Sequence, residues 1–216
     1  MKRREFTLAM ASSTAALSTG VARAQGKKPE DGSEYISLDR RVPVEAPAGK
    51  IEVIEFFWYD CPHCNAFEPR LESWLKNLPK DIAFKRVPVA FRDDFVPQQR
   101  LYYVLEALGR VDEMQLKVFN YRHAERQQVN TAETIAVFAE KNGIPRAKFM
   151  ELYNSFSVSA KAARATQLMQ AYKVEGVPAL GIAGRYYTDG SLAQSMERAL
   201  QVTDYLIAEV RKNGGR

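Results

Sequence analysis

The 216-residue chain is 46% hydrophobic and 26% charged, which is enough apolar material for a packed core and excludes a largely disordered chain. At about 150 residues per domain, the length predicts one domain with room for a large insertion. The formal net charge is +5, but leaving out residues 1–24 removes Lys2, Arg3, Arg4, Arg23 and Glu5, so Lys+Arg falls from 31 to 27, Asp+Glu from 26 to 25 and the charge to +2. That balance makes no case for nucleic acid as a partner.

Residues 1–24 read as an export signal. Lys2, Arg3 and Arg4 give a basic start, an apolar but Ser/Thr-dotted run spans Thr7 to Val21, and Ala22-Arg23-Ala24 supplies the small residues for cleavage after Ala24. The run is too short and too polar to anchor in a bilayer. Arg3-Arg4-Glu5-Phe6 resembles a twin-arginine signal, and a general secretory signal fits as well, so the route stays open. No later apolar segment is long enough to span a membrane, which predicts a soluble mature protein.

Residues 25–34 are polar and are expected to be flexible. Tyr35 to Leu38 alternates as a short edge strand, and Ile51 to Phe57 is the strongest strand. A helix is expected to begin at Cys61, with Phe67, Leu71, Trp74, Leu75 and Leu78 at helical spacing and Pro79 as its stop. Ile82 to Val89 reads as the next strand, so this unit should be a right-handed crossover between parallel strands. Residues 97–173 look almost wholly helical. Leu101, Val104, Leu105 and Leu108 form one stripe ending at Gly109. Thr131 caps a second helix carrying Ile135, Phe138 and Ala139, and Pro145 starts a third with Phe149, Leu152, Tyr153 and Phe156 inward. An Ala-rich helix is expected over about Ala160 to Tyr172. Ala179–Ala183 and Arg185–Thr188 flank Gly184 as a tight hairpin. The last helix carries Leu192, Met196, Ala199, Leu200, Thr203, Leu206, Ile207 and Val210.

The two cysteines stand together in Cys61-Pro62-His63-Cys64. Closing a ring this small stabilises a fold by only about 2 kcal/mol, against about 4.7 for a 100-residue loop, so the pair is not placed as a staple. It is placed to open and close. Cys61 lies where a strand ends and a helix begins, so unpaired N–H groups and the positive end of the helix dipole face its sulfur. Pro62 suits the first turn, and a protonated His63 adds positive charge. These features favour the attacking thiolate on Cys61, while Cys64, one turn inward, resolves the mixed disulfide. A Cys61 pKa near 4 would stabilise the reduced form at pH 7 by roughly 4 kcal/mol and raise the potential by on the order of 90 mV, as in a disulfide donor.

Strand parity groups Ile51, Val53, Glu55 and Phe57 on one face and Ile54 and Phe56 on the other. Glu55 is therefore expected to be buried with a raised pKa, six residues before Cys61, where it can exchange protons with Cys64. The other reading is a strand-end glutamate that reaches water. Gly176-Val177-Pro178 opens the strand after the helical segment, and a cis bond there would offer Val177 backbone groups to a substrate peptide. An X-Pro bond taken alone favours trans.

Val53-Ile54-Glu55-Phe56-Phe57, Cys61-Pro62-His63-Cys64, Asn154-Ser155-Phe156 and Gly176-Val177-Pro178-Ala179, in that order, resemble the DsbA family of bacterial periplasmic dithiol oxidases over about residues 35–211. The resemblance implies an α/β thioredoxin-like fold with an inserted helical domain: residues 35–92, an insert over 93–160, then 161–216. It implies that Cys61 is the nucleophile, that Cys64 resolves, and that His63 helps stabilise the thiolate. Glu55 would be the buried acid with Arg86 as its basic partner, Pro178 would be cis, and Val177 would face substrate. No cofactor beyond the Cys61–Cys64 disulfide and no metal is implied. The expected partners are reduced or unfolded exported polypeptides and a DsbB-like, quinone-linked membrane reoxidant, with the protein itself a periplasmic monomer.

Asp60, directly before Cys61, departs from the family pattern. Its carboxylate either opposes the thiolate or caps the helix and points away. Trp58 and Tyr59 either line a peptide groove or belong to the core. Rival functions are a reductase or isomerase, a folding factor with few clients, and a metal-binding chaperone. The last has little to work with, because the second histidine, His123, lies far off in the helical insert.

Overall fold

A buried run of seven residues, Ile51–Phe57, forms β2 at the middle of the molecule. The computed structural model describes residues 27–214, so the expected signal peptide over 1–24 lies outside the described residues. The five strands, β1 (Ile36–Ser37), β2, β3 (Ile82–Pro88), β4 (Ala179–Ile182) and β5 (Tyr186–Asp189), lie in the order β1-β5-β4-β2-β3. β2 runs parallel to β3 and antiparallel to β4, so it is hydrogen-bonded along both edges. The helices are α1 (Pro62–Leu75), α2 (Val96–Ala107), α3 (Val111–His123), α4 (Ala132–Lys141), α5 (Arg146–Tyr153), α6 (Phe156–Ala171) and α7 (Met196–Lys212). Among the described residues no helix is long and apolar enough to cross a membrane.

The alternation of β2 divides the core in two. Ile51 and Val53 join Phe67 and Leu71 of α1 and Leu206, Ile207 and Val210 of α7. Ile54 and Phe56 face the other way, into a cluster with Leu101, Val104, Phe119, Phe138 and Tyr172 from the helical segment. Phe57 departs from the expected parity. It sits at the end of the strand, and its ring meets Tyr59, Tyr102 and Phe119 on the helical side.

Local chemistry moves three expected boundaries. Cys61 is the extended N-cap of α1 rather than its first residue, and Leu78 lies beyond the end of that helix. Ser155 accepts the Val158 N–H and starts α6 at Phe156. Phe156 therefore does not pack inward with α5 but stands 89% exposed. The continuous α6 also runs through position 160, where the insert was expected to end. Residues expected to form a flexible lead-in make specific contacts from Lys27 onward: Arg198 donates to the Lys27 carbonyl and to Glu34, and Thr188 donates to the Glu34 carbonyl.

The hairpin forms where Gly184 places it. Ala183 and Gly184 have φ of 54° and 67°, and the Arg185 N–H donates to the Ile182 carbonyl at 2.9 Å, as in a two-residue type I′ turn. A Cβ on Gly184 would lie 2.1 Å from the Val42 carbonyl oxygen. Gly184→Ala is expected to lower stability by about 2 kcal/mol or more, read as a fall in the urea midpoint.

Candidate active site

The end of β2, the turn through Trp58-Tyr59-Asp60 and the first turn of α1 bring the two cysteines to the C-terminal end of this inner strand. Both are free thiols. Cys61 is 7% exposed, whereas Cys64 is fully buried on the inner face of α1 with Phe67 and Leu71. Pro62 occupies the start of the helix, where its missing N–H costs nothing. The Cys61 Sγ donates to the Val177 carbonyl at 3.4 Å, and the Val177-Pro178 bond is cis. Sulfur and loop, 116 residues apart in the chain, thus meet.

The electrostatics of the pair are asymmetric. A hydrogen bond from the Cys64 side chain, helped by the Cys64 and His63 N–H groups and the His63 charge, lowers the Cys61 thiol to about 6 against the opposing effect of burial. Burial first, then the neighbouring Cys61, pushes the Cys64 thiol well above its ordinary value. His63 itself is exposed. It lines a groove of about 360 Å³ with Val177, Pro178, Asp189 and Met196.

Glu55 lies beneath, fully buried and opposite Arg86 in the parallel register. The Arg86 Nε donates to Glu55 at 3.1 Å, the pairing that the resemblance implies. Arg86 is shared, however: its Nη2 also donates to Glu68 at 2.5 Å and to Glu72 at 2.7 Å. One guanidinium cannot neutralise three carboxylates. Burial, reinforced by the Glu68 charge and only partly offset by Arg86, lifts Glu55 to about 8. Burial raises Glu68 as well.

Sequence reasoning missed Glu68, although Cys64, Phe67, Glu68 and Leu71 share the inward spacing of α1. It also missed what α3 contributes. The Tyr59 hydroxyl donates to Gln115 at 2.8 Å, and the Tyr59 ring packs on Phe57 and Phe119, so this residue is core. Trp58 stacks on Phe95 with ring centroids 3.7 Å apart. Asp60 pairs with Arg122 and makes no cap hydrogen bond to α1. His123 is not remote: its Nε2 lies 2.8 Å from the Tyr59 carbonyl. The carbonyl can only accept, so that nitrogen carries the hydrogen.

Comparison with known proteins agrees with this geometry. Residues 52–201 match the family model described as DSBA-like thioredoxin domain. The thiol:disulfide interchange protein DsbA of Burkholderia cepacia is 41% identical over 195 residues, covering 90% of this chain and 92% of that one. Its counterpart from Bordetella parapertussis is 40% identical over 213 residues, covering 98% and 100%. The crystal structure of Pseudomonas aeruginosa DsbA superposes with a TM-score of 0.81 at 38% identity, covering 86% of this chain and 96% of that one. With residues 52–201 matched by the family model and relatives about 40% identical over 90% or more of its length, the chain belongs to the DsbA family of thioredoxin-fold proteins.

Proposed function

We propose that this thiol:disulfide oxidoreductase donates its Cys61–Cys64 disulfide to reduced, newly exported polypeptides. The observation that carries the reading is an acidic Cys61 thiol held against a fully buried Cys64 and beside the Val177 carbonyl. A substrate thiolate attacks the Cys61 Sγ, the Cys61–Cys64 bond breaks, and Cys64 leaves with the electron pair. Buried as it is, Cys64 takes up a proton, and Glu55 supplies it. A second substrate thiolate then attacks the substrate sulfur of the mixed disulfide and releases Cys61 as a thiolate. Two electrons have passed to the protein, and a DsbB-like, quinone-linked membrane partner takes them back. The partly accessible backbone of Val177, beside the Cys61 sulfur, holds the substrate in extended form, and the groove by His63 receives its side chains. The site of action is the periplasm, and the working form is a monomer.

The acidity of Cys61 serves departure more than attack. At pH 7 a thiol with a pKa of about 6 is about 90% ionised, roughly 30-fold more than an ordinary thiol near 8.5. Its intrinsic nucleophilicity is lower by roughly 10-fold, so the net gain in attack is small. As a leaving group the same thiolate gains without that loss. The reduced form is stabilised by about 1.4 kcal/mol at pH 7, or roughly 30 mV, a third of what a pKa near 4 would supply. Equilibration in glutathione buffers is expected to place the potential above about −180 mV, the figure for protein disulfide isomerase. A value near the roughly −270 mV of thioredoxin overturns the donor reading in favour of a reductase.

A further inference from the structure

Asp60 poses a difficulty for the chemistry just proposed, on which this inference rests. A carboxylate immediately before the attacking sulfur works against a thiolate by simple Coulomb repulsion. The insert meets it with α3. Arg122 forms an ion pair with Asp60, and the two side chains are only 26% and 25% exposed, so solvent screens the pair incompletely. The next residue, His123, holds the Tyr59 carbonyl at 2.8 Å while its ring stacks on Phe119. Two turns earlier on the same helix, Gln115 accepts from the Tyr59 hydroxyl. One helix therefore grips the turn by its backbone, its phenol and its carboxylate. Asp60 is drawn toward α3, whereas the Cys61 sulfur faces Val177 in the cis-proline loop.

We propose that Arg122, a residue of the helical insert, is a positioning residue for the redox centre: by holding and neutralising Asp60 it keeps carboxylate charge off the Cys61 sulfur and so sets the oxidising strength of the Cys61–Cys64 pair. The other ionisable groups around the turn are His63 and Cys64 on α1, His123 on α3, Asp189 across the groove, and Glu55, Glu68 and Arg86 beneath. Among the described residues Arg122 is the ion-pair partner of Asp60.

The test is a double-mutant cycle on the full protein. The Cys61 pKa is followed by the ultraviolet absorbance of the thiolate, and the oxidising strength by equilibration with glutathione. Arg122→Ala is expected to raise the Cys61 pKa by about 0.5 to 1 unit and weaken the oxidising equilibrium about three- to fivefold at pH 7. Asp60→Asn removes the carboxylate itself and is expected to lower the pKa. In the Asp60→Asn background, Arg122→Ala should keep only the direct effect of one guanidinium charge and lose the part that comes from freeing the carboxylate, whereas with Asp60 present Arg122→Lys should preserve most of the wild-type behaviour. A shift of equal size with and without Asp60 would show that Arg122 does not act through Asp60, and overturns the proposal. So does an unchanged pKa in Asp60→Asn, whether or not Arg122→Ala folds. A reductase-like equilibrium in the wild type would sink the donor reading, yet the coupling between Asp60 and Arg122 would still be read from the cycle.

Discussion

Cys64→Ala is expected to stop turnover while leaving Cys61 reactive, so that the protein accumulates as mixed disulfides with its partners. Cys61→Ala, in contrast, should lose exchange down to the uncatalysed level. The difference follows from burial. Cys61 is 7% exposed and its sulfur already touches the loop where substrate is expected to lie, whereas Cys64 has no exposed surface and a raised pKa that keeps it protonated. Cys61 alone can therefore enter a mixed disulfide, and only Cys64 stands where it can break one from within the protein. Removing Cys64 does not disturb the helix end, since the backbone N–H groups that favour the Cys61 thiolate remain. It does remove the side-chain hydrogen bond that does most to acidify Cys61, so some rise in the Cys61 pKa is expected alongside the trapping. Non-reducing gels of the two variants after incubation with a reduced, then partly oxidised, client check the outcome. Equal trapping by both variants, or by neither, would remove the assignment of Cys61 as the attacking sulfur.

The parts of this site that were legible in the sequence lie close together in the chain. Ile51 to Phe57 reads as a strand with Glu55 on the same face as Ile51 and Val53, and Cys61 to Cys64 follows closely, so the buried Glu55 beneath a redox pair could be read from 14 residues. The β-hairpin was equally legible, because only a glycine suits the position at Gly184 with Val42 so near. Phe156 shows where periodicity misleads. Its spacing continues the stripe of α5, but Ser155 interrupts the helix as a cap, and the ring ends up in solvent. The contribution of α3 was invisible for a different reason. Arg122 and His123 are ordinary surface types on a polar helix, and nothing in their spacing says that they come against a turn some 60 residues earlier. Glu68 was open to discovery by helical spacing alone, since it falls one residue after Phe67 on the inner stripe, but a charge on that stripe reads as an error until Arg86 is placed against it.

In a Cys61→Ser background, stability is expected to fall as pH rises from about 4.5 to about 8, and Glu55→Gln is expected to remove most of that slope. The sign follows from the shift. Burial and the Glu68 charge raise the Glu55 carboxyl to about 8 in the folded protein, above its ordinary value of 4.5. Between those values the folded state holds a proton that the unfolded state has lost, so each step upward in pH favours unfolding. The stabilisation is complete below about 4.5 and spent by about 8, on the order of 5 kcal/mol in all. Glu68, raised by burial too, leaves a smaller slope of the same sign after Glu55 is replaced. The serine background matters because the reduced Cys61 works in the opposite direction. Its pKa is lowered to about 6, so its contribution is present above the ordinary thiol range and is lost as pH falls toward 6. In the reduced wild type the two groups therefore oppose each other between about 6 and 8, and the stability profile should be nearly flat there. Once the disulfide closes, the thiolate is gone and the Glu55 slope is uncovered, so the oxidised protein should lose stability relative to the reduced one as pH rises. Urea unfolding of the serine variant at pH 5 and pH 8, with and without Glu55→Gln, decides the matter. Parallel slopes in the two proteins would mean that Glu55 is already ionised against Arg86 at pH 5, and that the proton reaching Cys64 comes from somewhere else.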